Sequence, residues 1–271
     1  MKNNFKMTLV LITISLLSNN LFAQRPYVSL NAGYGFKMSA QNLSIFNFYN
    51  STITDMTTSY EQVNVSLGKG LNSGGTIGYM FNKHIGAELG ISYLIGSKAK
   101  FTEKDVDMTT NYSISSKMLR IIPSVVISSG FDKINPYARF GLVIGKGSVM
   151  IEAQNDLIAM KMKMNGGTAF GISSGIGANY NLNQKISIFG ELNMVNMSYA
   201  PTKGKIMEAN ILGIDMVGDM TTNERETDYV DSYTVDNDPN NPPSDSEPSK
   251  ELKQKLPFGS LGLNFGLRFN L

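Results

Sequence analysis

The feature that most constrains this chain is a recurrent alternation, at every second position, of large apolar residues with small or polar ones. Over residues 85–96, Ile85, Ala87, Leu89, Ile91, Tyr93 and Ile95 fall on one side, and Gly86, Glu88, Gly90, Ser92 and Gly96 fall on the other, with Leu94 the single exception. Successive side chains of a strand point to opposite faces, so this spacing specifies a strand rather than a helix. Residues 261–271 repeat it, with Leu261, Leu263, Phe265, Leu267, Phe269 and Leu271 set against Gly262, Asn264, Gly266, Arg268 and Asn270. Phe170, Ile172, Ile176, Ala178 and Tyr180 alternate likewise with Gly171, Ser173, Gly175, Gly177 and Asn179. Further strands are expected near 27–36, 72–81, 117–128, 137–145 and 186–197, which gives about eight.

A soluble sandwich or lipocalin-like fold would hide its aliphatic face and show Lys, Glu and Thr to water. Here the face opposite the aliphatics is mostly Gly, Ser and Asn, so the aliphatic face is the one turned outward, toward lipid. The interior of a barrel of about eight strands is only just wide enough for side chains, which explains why small residues alternate with long ones. The mean hydropathy of −0.11 does not conflict with this, because only alternate residues of such strands meet lipid. The expected fold is all-β: a closed antiparallel up-and-down transmembrane β-barrel of about eight strands, an even number that leaves both termini on one side.

The connections alternate in length. Short ones are expected at 82–84, 129–135 and 181–185, and long ones at 37–71, 97–116, 146–168 and 198–257, the asymmetry of periplasmic turns and extracellular loops. Residues 148–164 and 205–216 keep strand character and extend the hairpins beyond the bilayer. An acidic external loop at about 223–255, with its proline-rich centre at 236–250, lacks the apolar residues that offset ordering entropy and is expected to be disordered.

At the N-terminus, Lys2 and Lys6 precede an apolar run over 7–17 and a polar Ser18, Asn19, Asn20. The run is shorter than the roughly 20 residues of a membrane-spanning helix, so residues 1–23 form a cleaved signal peptide and the barrel occupies 24–271. The absence of Cys excludes a disulfide framework, a lipoprotein anchor, thiol catalysis and thiolate metal sites. A net charge of +2 without a Lys/Arg cluster gives no nucleic-acid partner.

The final eight residues, NFGLRFNL at 264–271, fit the polar-x-Gly-x-x-aromatic-x-hydrophobic pattern that outer-membrane barrels present to their assembly machinery. The residues that carry it are Asn264, Gly266, Phe269 and Leu271. The segments LRIIPSVVI at 119–127 and NPYARFGLVIG at 135–145 resemble a hairpin of small outer-membrane β-barrel proteins, the OmpA/OmpX-like or "porin family" group. The resemblance spans the mature chain in architecture and is sharp at these stretches. It implies location in the outer membrane of a Gram-negative cell, lipid and lipopolysaccharide as surroundings, and the barrel-assembly machinery as a partner during biogenesis. An OmpA-type peptidoglycan-binding domain after the barrel is not expected. The chain departs from the group in lacking Trp, which leaves Phe36, Phe81, Tyr93, Tyr180, Tyr199 and Phe269 as the expected interface aromatics, and in ending on Leu271.

By strand parity Glu88, Arg120, Arg139, Glu191 and Arg268 point into the lumen from five strands, where charges must pair or be hydrated. Resemblance to OmpA-type barrels implies an interior ion-pair network. The same residues are also what a purely structural, lumen-filling role would require. His84, the only histidine, falls in a periplasmic turn, so the nucleophile and base arrangement of outer-membrane lipid-modifying enzymes lacks its base. The run GLVIGKGS at 141–148 is not a phosphate loop, because Gly147 follows Lys146 and no helix pattern follows. Asp236, Asp238, Asn240 and Glu247 match calcium-loop positions, but Asn241 stands where Gly should turn the chain and prolines interrupt the window. No cofactor is expected. Two classes of function remain: a surface-exposed structural or interaction barrel that meets an extracellular ligand or partner through its loops, and a narrow or gated pore for small solutes.

Overall fold

The computed structural model describes residues 25–38, 49–235, 238 and 244–271. The expected signal segment lies outside them, as do Asp236, Asn240 and Asn241 of the calcium-like pattern and three of the four prolines of the proline-rich stretch. The strands of the first half are β1 (Arg25–Lys37), β2 (Tyr49–Ile53), β3 (Thr58–Gln62), β4 (Gly70–Met80), β5 (Ile85–Gly96), β6 (Ala99–Lys104) and β7 (Thr109–Ser128). Then come β8 (Ile134–Gln154), β9 (Ile158–Asn165), β10 (Ala169–Asn181), β11 (Ile186–Tyr199), β12 (Lys203–Ile211) and β13 (Ile214–Asp215). A one-turn helix α1 (Thr222–Arg225) precedes β14 (Glu226–Val230), β15 (Ser249–Leu252), β16 (Leu256–Pro257) and β17 (Ser260–Asn270).

Strands β1, β4, β5, β7, β8, β10, β11 and β17 pair antiparallel in that order, and β17 returns to β1 through an unbroken register from Tyr27↔Asn270 to Lys37↔Ser260. The barrel is closed with eight strands. Pro123, which has no N–H to give, sits where the β7–β8 ladder lapses between Ile121↔Ile144 and Ser124↔Gly141. The tight ends are made by asparagines. The side-chain oxygen of Asn82 accepts from the amides of His84 and Ile85, and that of Asn183 accepts from Lys185 and Ile186.

Outward residues such as Leu30, Ile77, Leu89, Phe140, Ile176 and Phe265 form an exposed apolar band around the barrel. On β7 and β8 the band stops where Lys117 and Lys146 turn outward, close to one another in a register that sets Leu119 opposite Lys146. Among the described residues no helix is long and apolar enough to cross a membrane. The crossing elements are the strands.

Inside, small residues make room for large ones. A Cβ on Gly78 would strike the Tyr27 ring, one on Gly177 would come within 2.8 Å of the Tyr137 ring, and one on Gly175 within 2.9 Å of the Glu191 carboxyl. The extracellular half of the lumen is filled differently. There Leu94, Ile114, Met118, Val149, Met197 and Tyr199 pack with Val65, Leu67, Leu256 and Phe258, which the connections drop into the barrel mouth. Leu67 N donates to Pro257 O at 3.1 Å, Phe258 N to Met197 O at 2.9 Å and Ser116 Oγ to Leu67 O at 2.7 Å, so the two inserted segments are tied to each other and to the wall. Leu94, the exception to the alternation of β5, is fully buried in this layer. Tyr199 belongs here too. It was expected among the interface aromatics, but its place on β11 turns it inward, where its hydroxyl donates to the carbonyls of Gly147 and Gly166 at 2.8 and 2.6 Å.

Above the membrane the chain builds an open sheet in the order β3, β2, β6, β7, β8, β9, β12, β14, β15. The long end of β8, with β9, β12 and β13, occupies the regions at 148–164 and 205–216 whose pattern suggested extended hairpins. Strands β2, β3 and β6 and the upper end of β7 were not expected, because these segments are short and largely polar and carry no apolar alternation. The acidic loop is also shorter than 223–255: a capping box between Thr221 and Glu224 starts α1, β14 pairs with β12, and β15 runs parallel to β14.

Phe258 is the keystone of the apolar layer, with no exposed surface. Phe258→Ala is expected to lower stability by about 3–5 kcal/mol, the range for emptying a buried aromatic site, as read from the urea midpoint of the refolded barrel in detergent.

Candidate functional site

Four of the five sequence-predicted lumen charges share one level near the periplasmic end. Glu88 lies near the start of β5, Arg139 near that of β8, Glu191 in the first half of β11 and Arg268 near the end of β17. Tight turns align these strand ends, so the side chains converge. Arg139 is the centre. Its Nη2 lies 2.8 Å from Glu191 Oε2 and its Nε 3.0 Å from Glu88 Oε2. The second contact is an ion pair by distance only, because neither Nε nor that Oε2 has an aligned hydrogen-bond partner.

Two tyrosines complete the cluster. Tyr137 donates to Glu191 Oε2 at 3.0 Å, and Tyr27 donates to Glu88 Oε1. The Arg268 guanidinium lies 3.4 Å above the centroid of the Tyr27 ring, a cation–π contact that joins it to the cluster through Tyr27 rather than through a carboxylate. Two arginines thus balance two glutamates. The space left among Tyr27, Glu88, Tyr137, Arg139 and Arg268 is about 10 Å³, close to the least that holds one water.

Arg120 is not brought into this group. It lies further up β7, is 3 % exposed, and gives its Nε to Ser92 Oγ at 3.1 Å and a second nitrogen to Asn72 Oδ1. Among the described residues no carboxylate lies within ion-pair distance of it. Tyr27, Tyr137 and Asn72 were missed in the sequence, although their signal is present: each falls on the inward parity, and the tyrosines face glycines on neighbouring strands.

Of the assembly-pattern residues, Asn264 is buried and faces Glu191 across the β11–β17 register, and Gly266 leaves room for the Phe189 ring, which a Cβ would meet at 2.6 Å. Leu271 is exposed, and its amide donates to Pro26 O at 2.9 Å. The His84 ring sits in the first tight turn, with Nδ1 3.2 Å from Ser128 O. Residues 141–148 lie wholly within β8 and lead into no helix. Among the described residues no group of three His, Cys, Asp or Glu is placed to hold a metal ion.

A closed antiparallel barrel with an outward apolar band, and with its charges at the level of that band turned into the lumen, is a membrane-spanning barrel of the outer-membrane kind. The chain belongs to the outer membrane protein beta-barrel domain family, which it matches over residues 9–218, and its place is the outer membrane. No curated protein matches it. Among solved structures, the outer membrane protein OprG from Pseudomonas aeruginosa is 11 % identical, with 92 % of this chain and 96 % of that one covered and a TM-score of 0.43. A major outer membrane protein from Thermus thermophilus is 13 % identical, covering 91 % and 99 %, with a TM-score of 0.44. The attachment invasion locus protein Ail of Yersinia pestis is 10 % identical, covering 90 % and 98 %, with a TM-score of 0.29.

Because Arg139 serves both glutamates, removing it strands two buried carboxylates. Arg139→Met alone is expected to cost about 3–5 kcal/mol, and combining it with Glu88→Gln and Glu191→Gln to recover most of that loss. Urea midpoints of the single and triple variants check both.

Proposed function

We propose that this chain is a non-enzymatic surface protein of the cell envelope, in which the barrel is an anchor and the extracellular sheet meets an external ligand or partner. The observation that carries this is a lumen closed twice in succession, by the Arg139 cluster and, above it, by the apolar layer around Phe258. A solute path would have to breach both. The length of chain above the apolar band supports the interaction role, as do the outer edges of β3 and β15, which have no strand partner among the described residues. An enzyme of lipid modification is not supported, since His84 lies at the opposite end of the barrel from the outer leaflet.

In the same proposal, residues 1–23 direct export and are cleaved. Outer-membrane lipid and lipopolysaccharide surround the apolar band, and Asn264, Gly266, Phe269 and Leu271 are the signal to the assembly machinery. No cofactor enters.

Single-channel recording on the refolded barrel in a planar bilayer tests the central point. Wild type and Arg139→Ala are both expected to be silent, since the apolar layer remains when the ion pairs are gone. Resolved current steps in wild type that change with Arg139→Ala would replace the scaffold with a gated pore.

A further inference from the structure

The distal tip of the extracellular sheet ends in a water-exposed apolar crest. In the register of β9, β12 and β13, Ile211 stands opposite Ile158 on one side and Ile214 on the other, so the three side chains share one face. Leu157 and Leu212 flank them in the two adjoining turns, tied by Leu212 N donating to Leu157 O at 2.7 Å. Leu212 is 70 % exposed and Ile214 63 %. Nothing in a membrane anchor explains this row, which stands at the far end of the sheet from the apolar band. Contiguous exposed apolar surface on a folded protein marks an interaction site.

The backbone gives a second, independent sign. The turn that joins β12 to β13 has Leu212 at φ 52° and Gly213 at φ 83°. Such turns take Asn, Asp or Gly at both positions, because a side chain with bulk is strained at positive φ. A leucine held there at the most exposed point of a hairpin stores strain without a packing gain, and strain of this kind collects at functional positions.

The surroundings define the partner. Next to the crest, across the 155–157 turn, the β6–β7 and β8–β9 tips border an open hollow of about 550 Å³ lined by Asp105, Asp107, Met108, Asn111, Gln154 and Asp156. The turn itself is held by Asn155 Oδ1, which accepts from Leu157 N and Ile158 N at 2.9 and 2.7 Å. An apolar ridge beside three carboxylates fits a ligand with apolar side chains followed by cations, and it repels anionic lipid and acidic chains.

We propose that the crest of Leu157, Ile158, Ile211, Leu212 and Ile214, with the neighbouring aspartates, is the docking site for an extracellular protein segment that is both apolar and basic. The proposal rests on the interaction role above and gives it a partner class. The apolar residues supply the anchor, and Asp105, Asp107 and Asp156 steer and orient it.

The test uses the full barrel in nanodiscs of zwitterionic lipid and a fluorescein-labelled peptide of leucines and lysines, read by anisotropy against empty nanodiscs. Leu212→Asn suits the turn, so its thermal midpoint is expected to equal or exceed that of wild type while peptide binding falls at least tenfold. Ile214→Thr is expected to weaken binding in the same way. Asp105→Asn with Asp156→Asn is expected to flatten the salt dependence. Equal binding to wild type and Leu212→Asn, or equal binding of a leucine and glutamate peptide, overturns the proposal. So does an apolar vesicle or a second copy of the chain as occupant, seen as vesicle co-sedimentation or as self-association that Leu212→Asn abolishes. Channel recording on the same preparation separates the two levels: a silent barrel that ignores the peptide removes only the docking site, whereas a conducting one removes the scaffold role beneath it.

Discussion

Closure of the backbone hydrogen-bond ladder is the constraint on which the rest of this structure depends. In hydrocarbon every N–H and C=O must find a partner within the protein, and a sheet achieves that only when its last strand meets its first. Here the eleven-residue register between β1 and β17 completes the ring. Of the prolines in the barrel strands, Pro26 and Pro136 lie at the periplasmic ends of β1 and β8, and Pro123, in mid-strand, sits where the β7–β8 ladder lapses.

Closure with eight strands then fixes the volume inside, and the lumen is solved as a packing problem in two layers. At the periplasmic level large polar side chains lie over glycines, Tyr27 over Gly78 and Tyr137 over Gly177, and one arginine joins two glutamates. Buried charges of this sort contribute little net stability but penalise every arrangement that separates them, so they specify how the strands meet. At the outer level the wall turns apolar, and the chain fills it with its own connections, pinned at Leu67 and Phe258 by backbone bonds. In the proposed scaffold role, the second layer is the seal that remains when the ion pairs are removed.

Much of this was legible in the sequence. Period-two alternation located all eight barrel strands, because a strand with lipid on one side and a crowded lumen on the other must alternate, and the inward parity of Glu88, Arg139, Glu191 and Arg268 followed from it. What escaped detection has physical causes. Strands β2, β3, β6, β14 and β15 are only four to six residues long and mostly polar, with at most a residue or two such as Tyr229 or Phe101 turned to the core, so no apolar period is written. Tyr199 was assigned to the interface by type rather than by parity. The separation of Arg120 from the other charges is a matter of height along the lumen, which depends on strand stagger, and parity alone carries no height.

The stagger also explains the lone exception of β5. Along β7 the outward residues Leu119, Ile121, Val125 and Ile127 are apolar while the inward row mixes Arg120, Ser124 and Ser128 with Ile122 and Val126; beyond Lys117 the outward Ser113 and Ser115 are polar while the inward Ile114 is buried in the apolar layer. The outward face of one unbroken strand therefore changes from apolar to polar where its solvent changes from lipid to water. Leu94 on β5 faces inward near that level, so an apolar residue that breaks the pattern for a lipid-embedded strand obeys the pattern for the extension above it. That change ties the barrel to one depth in the bilayer, because sliding outward would expose the band of Leu119 and Ile121 to water and sliding inward would carry Lys117 and Lys146 into hydrocarbon. A scaffold held at fixed height is what a surface sheet needs if its tip is to stand clear of the membrane.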